Sequence, residues 1–185
     1  MKIERLKTYL LSVSAGYLLA LPWSASAFTV YDDITPLGSS VPATPVAFEG
    51  VVTTAGTPCD LNLEAELLVY GSTVEINVLA GNVTGAPLCS TIVLQNFPWT
   101  STTATTAFPS TFWAIDKVPM TFHNVSITPC GTGSAALLYD NWNPVEVGTI
   151  EYRFSTIEFS NSIVGLCSLN GVLKMQGTDY NLVNH

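Results

Sequence analysis

The sequence predicts an all-β protein: an antiparallel β-sandwich of the immunoglobulin-like type, with a related barrel or jelly roll as the alternative. Apolar and polar residues alternate from 59 to 78, which is the period of half-buried strands. No segment of ten or more residues has a helical period with caps. Strand-like segments recur every 10–15 residues, separated by turn residues. This pattern favours antiparallel over parallel sheets.

The first clear strand pattern begins at Cys59. Residues 36–46 hold three prolines and no period, so we predict a loop there. Leu61, Leu63, Ala65, Leu67 and Val69 share one face of the first clear strand, whereas Glu64 and Glu66 lie on the other. Tyr70-Gly71-Ser72 is a predicted turn, and 74–78 is its hairpin partner. We then expect a loop over 81–87, a strand near 89–94, an exposed edge or loop at 100–106, and strands at 111–116, 119–128 (with a slip near Asn124), 134–139, 147–159 and 163–176.

The composition excludes two classes of protein. Hydrophobic residues make up 48% of the 185 residues, which excludes a disordered acidic tail. There are 14 acidic and 6 basic residues, for a formal net charge of −8. So few basic residues exclude a nucleic-acid binder that works by positive charge.

Residues 1–27 are predicted to be an export signal. Basic residues at 2, 5 and 7 precede an apolar run from Tyr9 to Pro22, and Ala25-Ser26-Ala27 follows. The alternative is an uncleaved anchor, but the run is short for a span of roughly 20 residues. We predict cleavage after Ala27 and a secreted product, extracellular or periplasmic or held at the cell surface, with no later membrane span.

The mature part would be residues 28–185. Its basic residues are Lys117, Arg153 and Lys174, against 13 acidic ones, so its formal charge is 3 − 13 = −10. We predict an N-terminal leader with a first strand over 28–58 and a β-sandwich domain over 59–185. Such an acidic surface repels nucleic acid and anionic lipid.

All four cysteines lie in the exported part, at 59, 89, 130 and 167. An even count in an oxidising compartment predicts two disulfides. Three pairings are possible. We favour Cys59–Cys89 and Cys130–Cys167, because each closes a local loop. A zinc site fits poorly, since the chain has no CxxC and His123 is the one histidine besides His185.

The search for catalytic chemistry finds little, and we predict a protein without catalytic residues, metal or cofactor. His123 lies among apolar residues, which indicates a structural or surface histidine. Gly131-Thr132-Gly133-Ser134 precedes a strand and not a helix, so we interpret it as a turn and not a phosphate loop. Asp32-Asp33 and Glu64 with Glu66 are the nearest carboxylate pairs, and a solvated strand face explains the second pair. Asp140-Asn141-Trp142-Asn143 offers oxygen ligands but lacks the spacing of a known calcium loop.

Three tryptophans are candidate core or contact residues. Trp99, Trp113 and Trp142 are expected to fill the core, with an exposed contact role for one of them as the alternative.

Several short motifs together resemble one family. They are Gly85-Ala86-Pro87-Leu88-Cys89, then Asn96-Phe97-Pro98-Trp99-Thr100, then Cys130-Gly131, Asp140-Asn141-Trp142, and Gly165-Leu166-Cys167-Ser168-Leu169-Asn170-Gly171. Over about 59–175 this arrangement resembles the secreted bacterial activators of alkane oxidation of the PraB type. The leader 28–58 is longer and more acidic than the resemblance leads us to expect.

The resemblance implies a noncatalytic extracellular role in the use of alkanes, with a hydrocarbon or an oil–water interface as the partner and surface activity or emulsification as the mechanism. The alternative is a structural subunit of a fibril or biofilm matrix that self-associates by strand addition, with Phe28-Thr29-Val30-Tyr31 as the donated strand.

Overall fold

The computed structural model describes residues 28–32, 35–38, 40–54, 56–70, 73–103, 117–140, 155–177 and 180–184. The described residues form twelve strands and one 3-10 turn, Cys89–Thr91. The strands are β1 (Phe28–Asp32), β2 (Thr35–Gly38), β3 (Ser40–Thr54), β4 (Thr57–Tyr70), β5 (Thr73–Gly85), β6 (Val93–Gln95), β7 (Trp99–Thr103), β8 (Lys117–Thr128), β9 (Gly131–Asp140), β10 (Thr156–Val164), β11 (Cys167–Gln176) and β12 (Tyr180–Asn184).

Eight of these strands close into an antiparallel barrel. Their order is β8-β7-β5-β4-β3-β11-β10-β9, and β9 pairs back onto β8. The short β6 pairs with β8 at Ser126–Thr128, beyond the part of β8 that pairs with β7. The all-β prediction is confirmed, and the barrel alternative fits. The strand pairing does not give the predicted sandwich, since the β8–β9 ladder closes the sheet into a barrel. The sequence could not distinguish the two architectures, because the alternation along each strand is the same in both.

A separate three-stranded sheet, in the order β12-β1-β2, accompanies the barrel. β1 pairs with β12 from Phe28↔Asn184 to Asp32↔Tyr180. The Tyr180 side chain is buried, and its carbonyl oxygen accepts hydrogen bonds from Tyr139 Oη (2.9 Å) and Ser155 Oγ (3.1 Å). These contacts attach the small sheet to the barrel beside β9 and β10.

The barrel interior is the hydrophobic core, and alternation along the strands fills it. Every second residue of β4 from Cys59 to Val69 is buried, and the same holds for Val74, Ile76 and Val78 of β5, as the sequence predicts. The largest fully buried side chains are Tyr139, Phe48, Phe122, Leu63, Leu67, Ile76, Ile157, Leu173 and Met175. Among the described residues, no helix is long and apolar enough to cross a membrane.

The predicted loop at 36–46 is wrong, because β2 and β3 occupy most of it. The pairing of β3 with its neighbours explains why this strand tolerates prolines. β11 pairs with β3 over Ala47–Thr54 alone, so Pro42 and Pro45 lie where β3 has β4 on one side and no strand of the described residues on the other. A missing N–H costs no ladder bond on such an edge. A register shift between Val41 and Thr44 also accommodates Pro42.

Two other loop predictions change. β5 continues to Gly85, so the loop predicted over 81–87 begins four residues later. The threonine-rich stretch is strand β7 as far as Thr103, between β5 and β8. Its Ser101 is buried, and Ser101 Oγ accepts the Ile76 backbone N–H at 2.6 Å. A polar residue can face the core here because it satisfies a backbone donor.

The slip predicted near Asn124 is confirmed: the β8–β9 register shifts between Phe122 and Val125, and Asn124 has φ +60°. The segment predicted as one strand at 163–176 is instead the end of β10, a turn and β11. The signal 1–27, the turn residues 71–72, and the candidates 104–106, 111–116 and 147–154 lie outside the described residues.

Candidate functional site: the disulfide end of the barrel

Both disulfides lie at the same end of the barrel. Cys59, near the start of β4, is bonded to Cys89, with 5.6 Å between the Cα atoms. Cys130, just before β9, is bonded to Cys167 at the start of β11, with 5.2 Å between the Cα atoms. These are the pairs favoured from the sequence. We call this region, with Thr54, 56–58, 85–93, 127–134 and 163–170, the disulfide end.

The Cys59–Cys89 bridge holds a capping segment, residues 86–92, against the barrel. Backbone hydrogen bonds run from Cys89 N to Ala86 O (2.7 Å) and from Ile92 N to Cys89 O (3.0 Å). Two hydroxyls satisfy further carbonyls of this turn: Ser90 Oγ donates to Pro87 O and Thr91 Oγ1 donates to Leu88 O, both at 2.7 Å. Compact local bonding of this kind leaves the Leu88 side chain in solvent.

The second bridge adjoins a tight turn between β10 and β11. Leu166 N donates to Cys130 O at 2.8 Å, which ties the turn to the residue before β9. Gly165 has φ +58°, and a Cβ there would meet the Cys130 carbonyl. Glycine is therefore required by both the backbone conformation and the close approach. Leu166 is left at the tip of the turn.

Four large apolar side chains are exposed at the disulfide end. Leu166 is 92% exposed, Ile163 69%, Leu88 65% and Val93 48%. Other exposed apolar residues, Val51 and Val172 among them, lie on the barrel wall, where those two are paired across β3 and β11. All four lie at the same end of the barrel, and exposed apolar side chains grouped in this way are a candidate contact surface.

None of the residues that define the disulfide end is charged, and its nearest acidic residue is Asp60, which follows Cys59 and has its carboxylate beside Gly85. The uncharged stretches of sequence that contain the cysteines are 50–59, 76–115, 124–139 and 159–173, and Cys59 is the last residue of the first one. Acidic side chains are instead exposed on the wall, at Glu49, Asp60 and Glu64. The described part of the barrel therefore has an uncharged, apolar-tipped end and an acidic wall.

A small cavity of about 30 Å³ lies inside the disulfide end. Its walls are apolar: Trp99, Phe122 and Phe159 are the largest side chains, and Ile92 of the capping segment also lines it. Thr54, the last residue of β3, lines it as well. Thr54 is 6% exposed, and its Oγ1 has no hydrogen-bond partner among the described residues.

Of the three candidate tryptophans, Trp99 is the one that the structure describes. It is buried, stacks on Phe97 with 4.7 Å between ring centroids, and donates from Nε1 to Gln95 O at 2.7 Å. Trp99 is thus a core residue at the cavity. Trp113 and Trp142 lie outside the described residues.

The remaining sequence candidates that the structure describes are dispersed, whereas Asp33 and 141–143 lie outside the described residues. His123 is half-buried, and its Nδ1 lies 3.4 Å from Ser134 Oγ. Glu64 and Glu66 lie on the outer face, as predicted. The predicted turn at Gly131–Ser134 is wrong, because these residues begin β9. Within the described residues, no three His, Cys, Asp or Glu side chains group to hold a metal.

Among the residues that the structure describes, one charged group is buried, at the end of the barrel away from the disulfides. Asp140 of β9 pairs with Lys117 of β8, and Lys117 Nζ binds Glu158 of β10. Burial raises the pKa of the Asp140 carboxyl, Lys117 opposes that rise, and Glu158 adds to it. The hydrogen bond to Glu158 is the main cause that raises the pKa of Lys117. Asp140 Oδ1 has no hydrogen-bond partner among the described residues.

The comparison with protein families decides the chain's affiliation. Residues 5–180 match the model of the family described as "Alkane oxidation protein activator PraA/PraB-like". The chain belongs to this family. The resemblance found from the motifs is thereby confirmed, over more of the chain than those motifs cover. Comparison with curated proteins and with solved structures gives no match.

Sequence reasoning found the cysteines of this site but missed its apolar tips and Thr54. Leu88 and Leu166 each immediately precede a cysteine and follow a proline or glycine. The uncharged stretches around Cys89, Cys130 and Cys167, and the one that ends at Cys59, were the available signal. Thr54 gives no such signal, because its importance depends on the barrel closing around it.

Proposed function

We propose that this member of the alkane oxidation activator family is an exported, noncatalytic protein that adsorbs to hydrocarbon surfaces through its disulfide end. The observation that carries the proposal is the set of four exposed apolar side chains at the disulfide end. Burying them in oil is favourable by on the order of 5 kcal/mol, given about 1.5–3 kcal/mol for a fully buried Leu, Ile or Val. Contact with oil extends only as far as Asp60, whose carboxylate lies beside Gly85 and stays in water, so that no charge is desolvated.

The acidic wall supports the second half of the mechanism, emulsification. When the disulfide end contacts oil, Glu49, Asp60 and Glu64 remain in water. With a formal charge of −10 on residues 28–185, coated droplets repel one another at low ionic strength, and salt screens that repulsion. Export is supported by two disulfides, which persist in oxidising compartments.

Pendant-drop measurement of hexadecane–water tension tests the proposal. We expect the wild-type protein to lower the tension. The double variant Leu88→Ser/Leu166→Ser should adsorb on the order of 100-fold more weakly, since two exposed leucines lose their transfer free energy. Both side chains are in solvent, so folding should be preserved.

The matched control is Val51→Ser/Val172→Ser, which removes two exposed apolar side chains from the wall. It should adsorb like the wild type. A wild-type protein that leaves the tension unchanged, or equal losses in the two double variants, would contradict adsorption through the disulfide end.

The alternative, assembly by strand addition, has less support. β1 contains the segment considered as a donated strand, and β1 pairs with both β12 and β2 of its own chain. Donation would first break those ladders. The half of β3 that has no described strand on one edge carries Pro42 and Pro45, which discourage pairing with another chain. We therefore expect a monomer in size-exclusion chromatography and no fibrils by electron microscopy.

A further inference from the structure

The buried Thr54 hydroxyl at the disulfide end has no hydrogen-bond partner among the described residues. A buried hydroxyl without a partner is unfavourable, and native proteins satisfy most such groups. A water molecule is a poor solution here. A buried water needs two to four polar partners, whereas the residues around Thr54 in the cavity are apolar. The cavity therefore suits a molecule with one polar group and an apolar remainder.

We propose that this cavity binds the end of a short linear primary alcohol, with the alcohol hydroxyl on Thr54 Oγ1 and the alkyl chain directed toward Trp99, Phe122 and Phe159. This binding site is independent of adsorption to oil and goes beyond it. Thr54 is the last residue of β3 and lies where the cavity meets the disulfide end, which we call its mouth, whereas Phe122 lies further along β8, opposite Ser101 of β7. The cavity is polar at Thr54 and apolar further inside, and an alcohol with its hydroxyl at the mouth and its alkyl chain inside matches this arrangement.

The lack of positively charged residues at the disulfide end favours the alcohol over the corresponding carboxylate. No lysine or arginine lies in the disulfide end as defined above, so a carboxylate would be buried without a cation, at high cost. An alkane fills the apolar part but leaves Thr54 unpaired. A hydroxyl can both donate to and accept from another hydroxyl.

In its present form the cavity has room for only the first carbons of the alcohol, and binding of a six-carbon chain requires the capping segment to move. About 30 Å³ exceeds the space for one water, but it is well below an engineered cavity of roughly 150 Å³ that binds benzene. Ile92 lines the cavity from the capping segment. A shift of Ile92, with Cys89 still tethered to Cys59, would enlarge the cavity at the mouth.

Methyl NMR titration of the full chain with hexan-1-ol, hexane and hexanoate tests the proposal. Hexan-1-ol should shift the methyl signals of Val125, Ile127 and Leu169, which line the cavity. Hexanoate should not. Hexane leaves water more readily than hexan-1-ol does, so the two Kd values cannot be compared directly. The informative quantity is the ratio of the hexan-1-ol Kd to the hexane Kd, compared between the wild type and each variant.

The decisive variant is Thr54→Val, which keeps the shape of the side chain and removes the hydroxyl. It should weaken hexan-1-ol about three- to tenfold, the value of one hydrogen bond, without weakening hexane. Thr53→Val, on the neighbouring half-buried residue, is the control and should change neither Kd. The proposal is overturned if hexan-1-ol leaves the cavity methyls unshifted, if Thr54→Val has no effect, or if it weakens both ligands equally. None of these NMR outcomes predicts the result of the interfacial-tension measurement. Either proposal can therefore fail without the other.

Discussion

Removing either disulfide should destabilise the protein by nearly the same amount. The bridges join residues 30 and 37 positions apart. In the chain-entropy description, loops of those lengths give about 4 kcal/mol each, with a difference of a few tenths. We expect Cys59→Ala/Cys89→Ala and Cys130→Ala/Cys167→Ala to lower the free energy of unfolding accordingly. Alanine is chosen because Cys89 is fully buried and a serine hydroxyl there would lack a partner.

Guanidinium chloride unfolding, followed by circular dichroism, measures this loss. A small domain has about 5–15 kcal/mol of stability in total, so either double variant should remain folded with a lower midpoint, and loss of both bridges should leave little stability. The slope of each transition shows whether the denatured state has expanded. A loss below about 1 kcal/mol for either bridge would refute the entropic reasoning, as would a difference above about 2 kcal/mol between them.

Two further predictions concern buried polar groups. Ser101→Ala leaves the Ile76 N–H without its acceptor and should cost about 1–3 kcal/mol in chemical denaturation, whereas the exposed Thr100→Ala should cost much less; equal losses would contradict this role. For Asp140, burial places the folded-state pKa above the unfolded value, so the folded carboxyl takes up a proton more readily. Its contribution to stability should therefore rise as the pH falls through the folded-state pKa toward about 3.9. Asp140→Asn should remove that part of the slope when the free energy of unfolding is measured against pH, and an unchanged slope would count against it.

Much of the strand content could be predicted because it depends on local alternation. The run from Leu61 to Val69 and the slip at Asn124 need no knowledge of distant residues. β7 could not be predicted in this way, since Ser101 faces the core through a bond to Ile76, 25 residues earlier. Strand β3 was missed at Pro42 and Pro45 for a related reason: whether a proline is tolerated depends on which edge of the strand is paired.

Barrel closure and the contents of the site also lay beyond the sequence. A sandwich and a barrel share the same alternation, and the β8–β9 ladder is the difference between them. Loop length favoured the observed cysteine pairs, yet it gave no reason to place both bridges at one end. That coincidence brings Leu88 and Leu166 into one region and leaves Thr54 inside it.

The pairing of Phe28 with Asn184 has a practical consequence for handling the molecule. A dye or a tether at position 28 or 184 would sit on the small sheet, which is anchored at Tyr180 on the far side of the barrel from the sulfur bridges. Immobilised in that way, the protein would leave its leucine tips free to meet a passing droplet.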